Sequence, residues 1–365
     1  MMLEGLDTYV ERALKDWNVP GVAIAIVRDD KVLRAQGFGV RESGKPDRVD
    51  EHTQFQIGSC GKAFTAAALA MLVHDGKLAW DEPIVTYMPP LAVADADRIT
   101  TRDLLLNRSG VPGLDAGETT IWLDKPLTRD QVLAHIGDLK GWPLRERFDY
   151  SNVGYLAAGK LVSAITQTSW DDFIRTRIFA PLGMTRSRTT TRSLEAESNA
   201  ALAHAMNDGT IQSAPWLDLN NVGPAGAIVS TATDMAQWLR FQLTNAVVEE
   251  THKPGIDVED PEWRLLFPAA EKIRWAMGWA TYEYRGEQLV EHDGLVPGGM
   301  HAAVSLMPAR HIGIVVLSNV DFMTNRVPEA LRYWIYDALL GGHDRDWSRD
   351  LLTQVMQATA QSTAG

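Results

Sequence analysis

A single cysteine, Cys60, stands in the 365 residues, so no intramolecular disulfide forms and no cysteine-based metal cluster can be assembled. No run of Lys and Arg appears, and the formal net charge is −12. Nucleic-acid binding needs a basic patch to neutralise phosphates, so no nucleic-acid partner is expected; the acidity is read as serving solubility. No stretch approaches the ~20 apolar residues of a membrane span. His-Glu-x-x-His is missing, which argues against a zinc hydrolase, and no cofactor or metal is expected. There is no Gly-x-Ser-x-Gly elbow, because Ile57 occupies the first glycine position ahead of Ser59. Two near-matches to a phosphate loop fail at their last position, at Pro46 in GVRESGKP (39–46) and at Leu161 in GYLAAGKL (154–161). Residues 1–7 carry acids where a signal peptide carries bases. As written, the sequence reads as cytoplasmic; a leader preceding it would make the protein periplasmic or secreted.

The residues present are ordinary for a folded globular chain, with 45% hydrophobic and 22% charged. Apolar positions Leu3, Leu6, Val10, Leu14 and Trp17 predict an opening helix over 3–17. GVAIAIV (21–27) and VLRAQGFGV (32–40) flank a short polar turn and predict a hairpin. From about 62 to 240 the pattern turns helical, with several segments starting at Thr, Ser or Asn ahead of an acid. Strand-like runs return at 275–284, 288–294, 300–308 and 311–320, followed by a helix over about 327–341. The expected fold is α/β (α+β): one antiparallel sheet formed from both chain ends and flanked by helices, with a mostly helical second lobe. We expect a single catalytic domain over 1–365, its α/β lobe at about 1–60 and 270–345 and its helical lobe at about 61–269. A cleft is expected where the lobes meet.

Three short patterns carry chemistry. In FQIGSCGKAF, Ser59 and Lys62 lie one turn apart where a helix begins, so both sit on one face near the positive helix end. Serine needs a neighbouring base to act as a nucleophile. Lys62 can serve only if its pKa falls from about 10.4 to ~7–8, a change of roughly 4 kcal/mol that demands a desolvated site. The pattern occurs once, and by spacing alone a coincidence is as good a reading. In RFDYSNVGY, Tyr150 and Asn152 stand at another helix start. A phenol there can shuttle a proton if an ammonium depresses its pKa, and the carboxamide can contact substrate or Lys62. The alternative makes Asn152 a helix cap and Tyr150 a packing residue. The third pattern, His292-Asp293-Gly294, is one of four His-x-Gly matches, the others starting at His74, His135 and His311. Only His292 lies late on a strand before a Gly-rich turn. Gly294 lets substrate approach the strand closely, and the amide of Leu295 is a candidate oxyanion donor.

With these motifs in order, the chain resembles the serine β-lactamase and penicillin-binding-protein superfamily, and within it the class C-type branch of esterases and D-amino-acid peptidases. The resemblance covers about residues 5–340 and extends to ITTRDLLLNRSGVPG, RIFAPLGMTRS and GPAGAIVSTATDMAQWL. It implies a β-lactamase/transpeptidase-like fold and an acyl-enzyme on Ser59, with Lys62 and Tyr150 as the general-base pair. It further implies Asn152 as a substrate-side ligand and an oxyanion hole from the amides of Ser59 and Leu295. Deacylation is expected on the Tyr150/Lys62 side rather than through a separate Glu. The chain departs from true β-lactamases where His292-Asp293-Gly294 replaces Lys-Thr-Gly. A histidine binds a carboxylate less reliably than lysine, so weak β-lactamase activity at best is expected. Gly61 stands where relatives have Ser or Thr, which is expected to loosen the helix start.

The leading expectation is a serine hydrolase of carboxylic esters or small amides. The alternatives are a peptidase for D-residue or unusual peptides, and a non-catalytic penicillin-binding sensor or structural relative. Partners are then small-molecule esters, amides or peptides. Cys60 reads as a small buried thiol. Trp122, Trp142 and Trp216 fall between helices, where they would line a cleft rim or pack in the core.

Overall fold

The computed structural model describes residues 3–192, 194–207, 210–322, 325–342 and 345–363. Its centre is an eight-stranded antiparallel sheet. In chain order the strands are β1 (Gly21–Arg28), β2 (Lys31–Gly39), β3 (Ile256–Val258), β4 (Ile273–Ala276), β5 (Trp279–Tyr284), β6 (Glu287–Val296), β7 (Met300–Met307) and β8 (Ile312–Ser318). Across the sheet they run β2-β1-β8-β7-β6-β5-β4-β3. The N-terminal hairpin therefore docks on the last strand, with Val22 opposite Ser318 and Arg28 opposite Ile312.

Period-two alternation explains why GVAIAIV is apolar throughout: both faces of the sheet are covered. Ala23, Ala25 and Val27 of β1, with Val315 and Leu317 of β8, enter one core together with Phe64, Leu69, Trp238 and Leu239 from the helical region. Val22, Ile24 and Ile26, with Ile314 and Val316, enter a second core with Leu6 and Val10 of the opening helix Leu6–Asp16 and Leu331 and Ile335 of Val327–Leu340. The sheet is thus a partition between the terminal helices and the helical region. This is the antiparallel sheet from both chain ends that the sequence pattern implies.

Several local expectations are revised. The run 275–284 is two strands and not one, because Gly278 turns at φ +86° and β4 and β5 pair across that turn. The turn packs on the start of the helix Lys62–His74, where a Cβ on Gly278 would lie 3.1 Å from the Lys62 carbonyl oxygen. Strand β3 adds to the sheet a short segment from the stretch expected to be helical. The segment 169–183 is broken into Trp170–Ile174, a wide helical turn Arg175–Phe179 and Ala180–Leu182, Pro181 lying in the last. A hairpin at Ala203–Asn207 and Thr210–Ala214 and a helix at Trp347–Thr363 were not anticipated. Among the described residues, no helix is long and apolar enough to cross a membrane.

Gly61 does not behave as a loose joint. It is buried, its backbone is helical at φ −61°, and a Cβ placed on it would meet its nearest neighbours at 3.7–3.8 Å, ordinary contact. The glycine therefore contributes only unfolded-state entropy. Gly61→Ala is expected to raise stability by about 0.4–1 kcal/mol, read as an increased denaturant midpoint at unchanged slope.

Candidate active site

The two-residue strand Phe55–Gln56 pairs with Val229–Ser230 and delivers the chain to Gly58, whose φ of +50° starts a tight turn over Gly58–Gly61. The helix Lys62–His74 continues directly from that turn and is buried along most of its length, Lys62 included at 0% exposure. Ser59 and Lys62 meet across this first turn, with Lys62 Nζ 3.0 Å from Ser59 Oγ.

Two further groups surround the amine. Asn152 Oδ1 lies 2.6 Å away and the Ala225 carbonyl oxygen 3.1 Å away. Both are pure acceptors, so each takes an N–H from Lys62. A neutral amine has two N–H bonds and one lone pair. In that neutral form both donors are taken and the lone pair remains for the Ser59 hydroxyl; in the ammonium form the third N–H donates to Ser59 Oγ. Burial depresses the Lys62 pKa to about 7, against the opposing charge of Glu118.

Glu118 escaped the sequence reading. It sits in the irregular segment before the short helix Thr119–Trp122, fully buried. Its Oε1 accepts from the Asn152 backbone N–H at 2.9 Å and from Asn152 Nδ2 at 2.7 Å. Its Oε2 accepts from the Val153 N–H at 3.0 Å and the Ser151 hydroxyl at 3.2 Å. This grip on Nδ2 turns Oδ1 of Asn152 toward Lys62. Asn152 is not the helix cap: Ser151 caps Asn152–Thr166 through the Gly154 N–H, which frees the carboxamide for the site. Burial raises the Glu118 pKa, and its hydrogen bonds and Lys62 oppose the rise. Nothing at 118 signals this role in sequence, because the partner residues lie 33–35 positions downstream.

Tyr150 is buried beside them, with the Lys62 ammonium position 4.6 Å from its ring centroid. The expectation of a phenol depressed by a neighbouring ammonium is reversed here. Burial pushes the Tyr150 pKa well up, and the hydrogen bond to Ser59 offsets only part of it. His292 Nδ1 faces the Asp293 carbonyl oxygen at 2.7 Å and so carries a proton; Nε2 is then the acceptor for Tyr150 Oη at 3.4 Å. Burial, helped by Lys62, drives the His292 pKa down to about 3, so the imidazole is neutral.

The third pattern meets the first through backbone. A Cβ on Gly294 would fall 1.8 Å from the Ile57 carbonyl oxygen, and one on Gly58 would fall 3.1 Å from the Leu295 nitrogen. Gly294 is therefore required by the turn that carries Ser59, and not by an approaching substrate as first read. The same contact brings the Leu295 amide beside the Ser59 turn. Cys60 is buried with Sγ 3.1 Å from the His292 carbonyl oxygen, and burial raises its pKa well above that of a free thiol. It packs the turn to the strand.

Ser59, Tyr150, Asn152, His292 and Leu295 open onto one cavity of about 1310 Å³. Trp122 lines it; Trp142 and Trp216 are not among its lining residues, their indole N–H groups being engaged by Asp149 at 3.1 Å and the Ala201 carbonyl at 2.9 Å. The aromatic wall comes from elsewhere. Trp263, which lines the cavity, and Trp275 lie 5.2 and 5.4 Å from the Tyr150 ring. Strand periodicity alone could not single them out.

Comparison with known proteins gives a consistent picture. The family described as Beta-lactamase matches residues 6–338. The unguisins hydrolase of Aspergillus violaceofuscus is 27% identical over 96% of this chain and 68% of its own length. Protein flp of Staphylococcus aureus is 26% identical over 87% of this chain and 63% of its own length, so this chain spans about two thirds of these relatives. Among solved structures, the octameric penicillin-binding protein homologue from Pyrococcus abyssi superposes at a TM-score of 0.82 with 26% identity, covering 94% of this chain and 78% of that one. The D-amino acid amidase from Ochrobactrum anthropi SV3 superposes at 0.77 with 24% identity, covering 92% and 99%, a likeness of fold.

The Lys62 environment is testable by itself. Its titration, followed by NMR of the side-chain nitrogen or by pH-dependent reaction with a lysine reagent, is expected to centre near 7. Glu118 raises the Lys62 pKa, so Glu118→Gln must move that midpoint to lower pH, by roughly 1 unit. A midpoint unmoved or raised would contradict the pairing.

Proposed function

The chain belongs to the β-lactamase family, and from that premise we propose a serine hydrolase that works through an acyl-enzyme on Ser59. The observation carrying this reading is the fully buried Lys62 amine standing 3.0 Å from Ser59 Oγ. With its two N–H bonds given to Asn152 and Ala225, the neutral amine has one site for a proton, and Ser59 supplies it.

The steps follow from the positions. Lys62 takes the Ser59 proton as Oγ bonds to the substrate carbonyl carbon. The oxyanion sits between the amides of Ser59 and Leu295, where one donor of this kind is worth about 10²–10³ in turnover. Tyr150, kept as a neutral phenol, gives its proton to the departing alcohol or amine as the carbon–heteroatom bond breaks; its link to His292 Nε2 holds its direction. Lys62 then returns its proton to the Tyr150 phenolate and, neutral again, takes a proton from the water that attacks the acyl carbon; that proton passes to Ser59 Oγ as the acyl bond breaks. Glu118 is taken up in holding the helix start, its oxygens accepting from the N–H groups of Asn152 and Val153 and from Asn152 Nδ2, so deacylation is assigned to the Lys62/Tyr150 side. Asn152 positions Lys62 and contacts substrate from the cavity side.

Substrate class follows from charge. The residue standing where true β-lactamases carry the lysine of Lys-Thr-Gly is a neutral His292, so no cation stands there for a substrate carboxylate. Neutral carboxylic esters and small amides are the favoured substrates, and penicillin-type carboxylates are disfavoured. A second reading, a peptidase for D-residue or unusual peptides, is supported by cavity size: about 1310 Å³ exceeds the usual ~300–1,000 Å³ of small-molecule pockets.

The test compares p-nitrophenyl acetate and butyrate with nitrocefin and a D-alanyl anilide. Ester turnover is expected to dominate, with nitrocefin cleavage at least ~10²-fold slower, and Ser59→Ala is expected to abolish both. Survival of ester turnover in Ser59→Ala would overturn the assignment. Because neutral Lys62 is the active form, kcat/KM should rise with pH on a limb centred near 7. Gly294→Ala should lower kcat by at least ~10²-fold with a smaller change in KM, since the added Cβ drives the Leu295 amide away from the Ser59 turn.

A further inference from the structure

On β6 the residues alternate. His292 faces the Ser59 side, while Glu291 and Asp293 point through the sheet toward the helix Val327–Leu340, as do His301 and Ser305 of β7. Most polar groups on this hidden side are partnered. Glu291 accepts from the hydroxyls of Tyr282 and Ser305. Asp293 Oδ1 accepts from Arg332 Nη1 at 2.7 Å, and Arg332 Nη2 donates to the Leu266 carbonyl oxygen at 3.0 Å.

One end of the network is different. Among the described residues, Asp293 Oδ2, both ring nitrogens of His301 and both carboxylate oxygens of Glu329 have no hydrogen-bond partner, His301 Nε2 and Glu329 Oε1 standing 3.8 Å apart. His301 and Glu329 are 0% exposed and Asp293 4%. One ligand atom from each of the three lies within 4.8 Å of the others. A buried polar atom left unpaired costs about 1–3 kcal/mol, and native proteins carry few of them. One from each of three side chains, gathered in one place, calls for a shared occupant.

The donor set says which. One carboxylate oxygen each from Asp293 and Glu329 and one imidazole nitrogen of His301 converge, a set of ligand atoms. Imidazole with two carboxylates suits a borderline divalent ion. Points within 4.8 Å of one another share a centre within roughly 2.8 Å, and small side-chain rotations reach the ~2.0–2.2 Å of Zn–N and Zn–O bonds.

We propose that Asp293, His301 and Glu329 form a structural metal site for a divalent first-row transition ion, Zn²⁺ or Mn²⁺. Arg332 holds the other oxygen of Asp293 and fixes its orientation, the usual work of groups behind a ligand. The ion ties the helix Val327–Leu340 to β6 and β7 directly behind His292 and Leu295. Entry is from the main cavity: Phe322 and Asp293 both line it, and the Phe322 ring stands edge-on to His301 at 5.4 Å. No sequence spacing announces the site, because its residues come from two strands and a helix.

The full chain is stripped with a chelator, exposed to Zn²⁺ or Mn²⁺, dialysed, and analysed for metal by mass spectrometry. About one ion per chain is expected to remain, with Tm about 2–5 °C above the stripped form. Co²⁺ loading should give visible d–d absorption. Glu329→Gln and His301→Ala are expected to lose the ion and the Tm response, while Ser59→Ala keeps both. Retention below about 0.1 ion per chain, with a Tm indifferent to metal, would overturn the site; so would equal retention in the Glu329 and His301 variants. Where a variant does not fold, wild-type stoichiometry and the Co²⁺ spectrum decide alone.

Discussion

A lysine amine sealed from water governs this molecule. Burying Lys62 favours its neutral form by roughly 4–5 kcal/mol, against the charge of Glu118, which pulls the other way. Asn152 holds its place because Glu118 grips it from behind, and Glu118 is held in turn by the first turn of Asn152–Thr166. Ala225 is presented by the Gly223–Gly226 turn. Loosening any one of these contacts would let the amine drift from Ser59. The interior of the helical region is therefore as much a part of the proton chemistry as Ser59.

The sheet supplies what that region cannot. Its strand β6 presses its backbone against the Ser59 turn so tightly that only glycine is tolerated at 294 and 58. Two carbonyl oxygens near that turn, those of Ile57 and His292, are in contact with Gly294 and with Cys60. The outcome is a rigid junction between an amine-bearing helix and an amide-bearing strand. The opposite face of β6 is equally constrained, by Arg332 bonded to Asp293 and to Leu266 of the cavity wall. Position is thus enforced from both sides of the sheet.

Local signals in the sequence carried a large share of this. Ser59 and Lys62 are one turn apart, so their meeting is a property of a helix start; apolar alternation in GVAIAIV marks a strand covered on both faces. Long-range relations were less visible. Glu118 reaches Asn152 only because a loop folds under a distant helix, and Trp263 and Trp275 join Tyr150 from the segment around β4. The electrostatic state of Tyr150 was not legible, since a motif names a neighbouring amine but not the burial that outweighs it. Gly294 was legible as a required glycine, while the partner that requires it, Ile57, belonged to another element.

The joining of β1 to β8, with Val22 opposite Ser318, has a consequence for synthesis. A ribosome must deliver some 290 further residues before β1 receives its inner neighbour. Until then the nascent hairpin offers an unpaired apolar edge, a known hazard for mispairing. The helical region between can pack before that moment, because its contacts are more local. Translation speed near the end of the message, or a chaperone that covers β1, would then set the yield of native protein more than any property of the finished molecule.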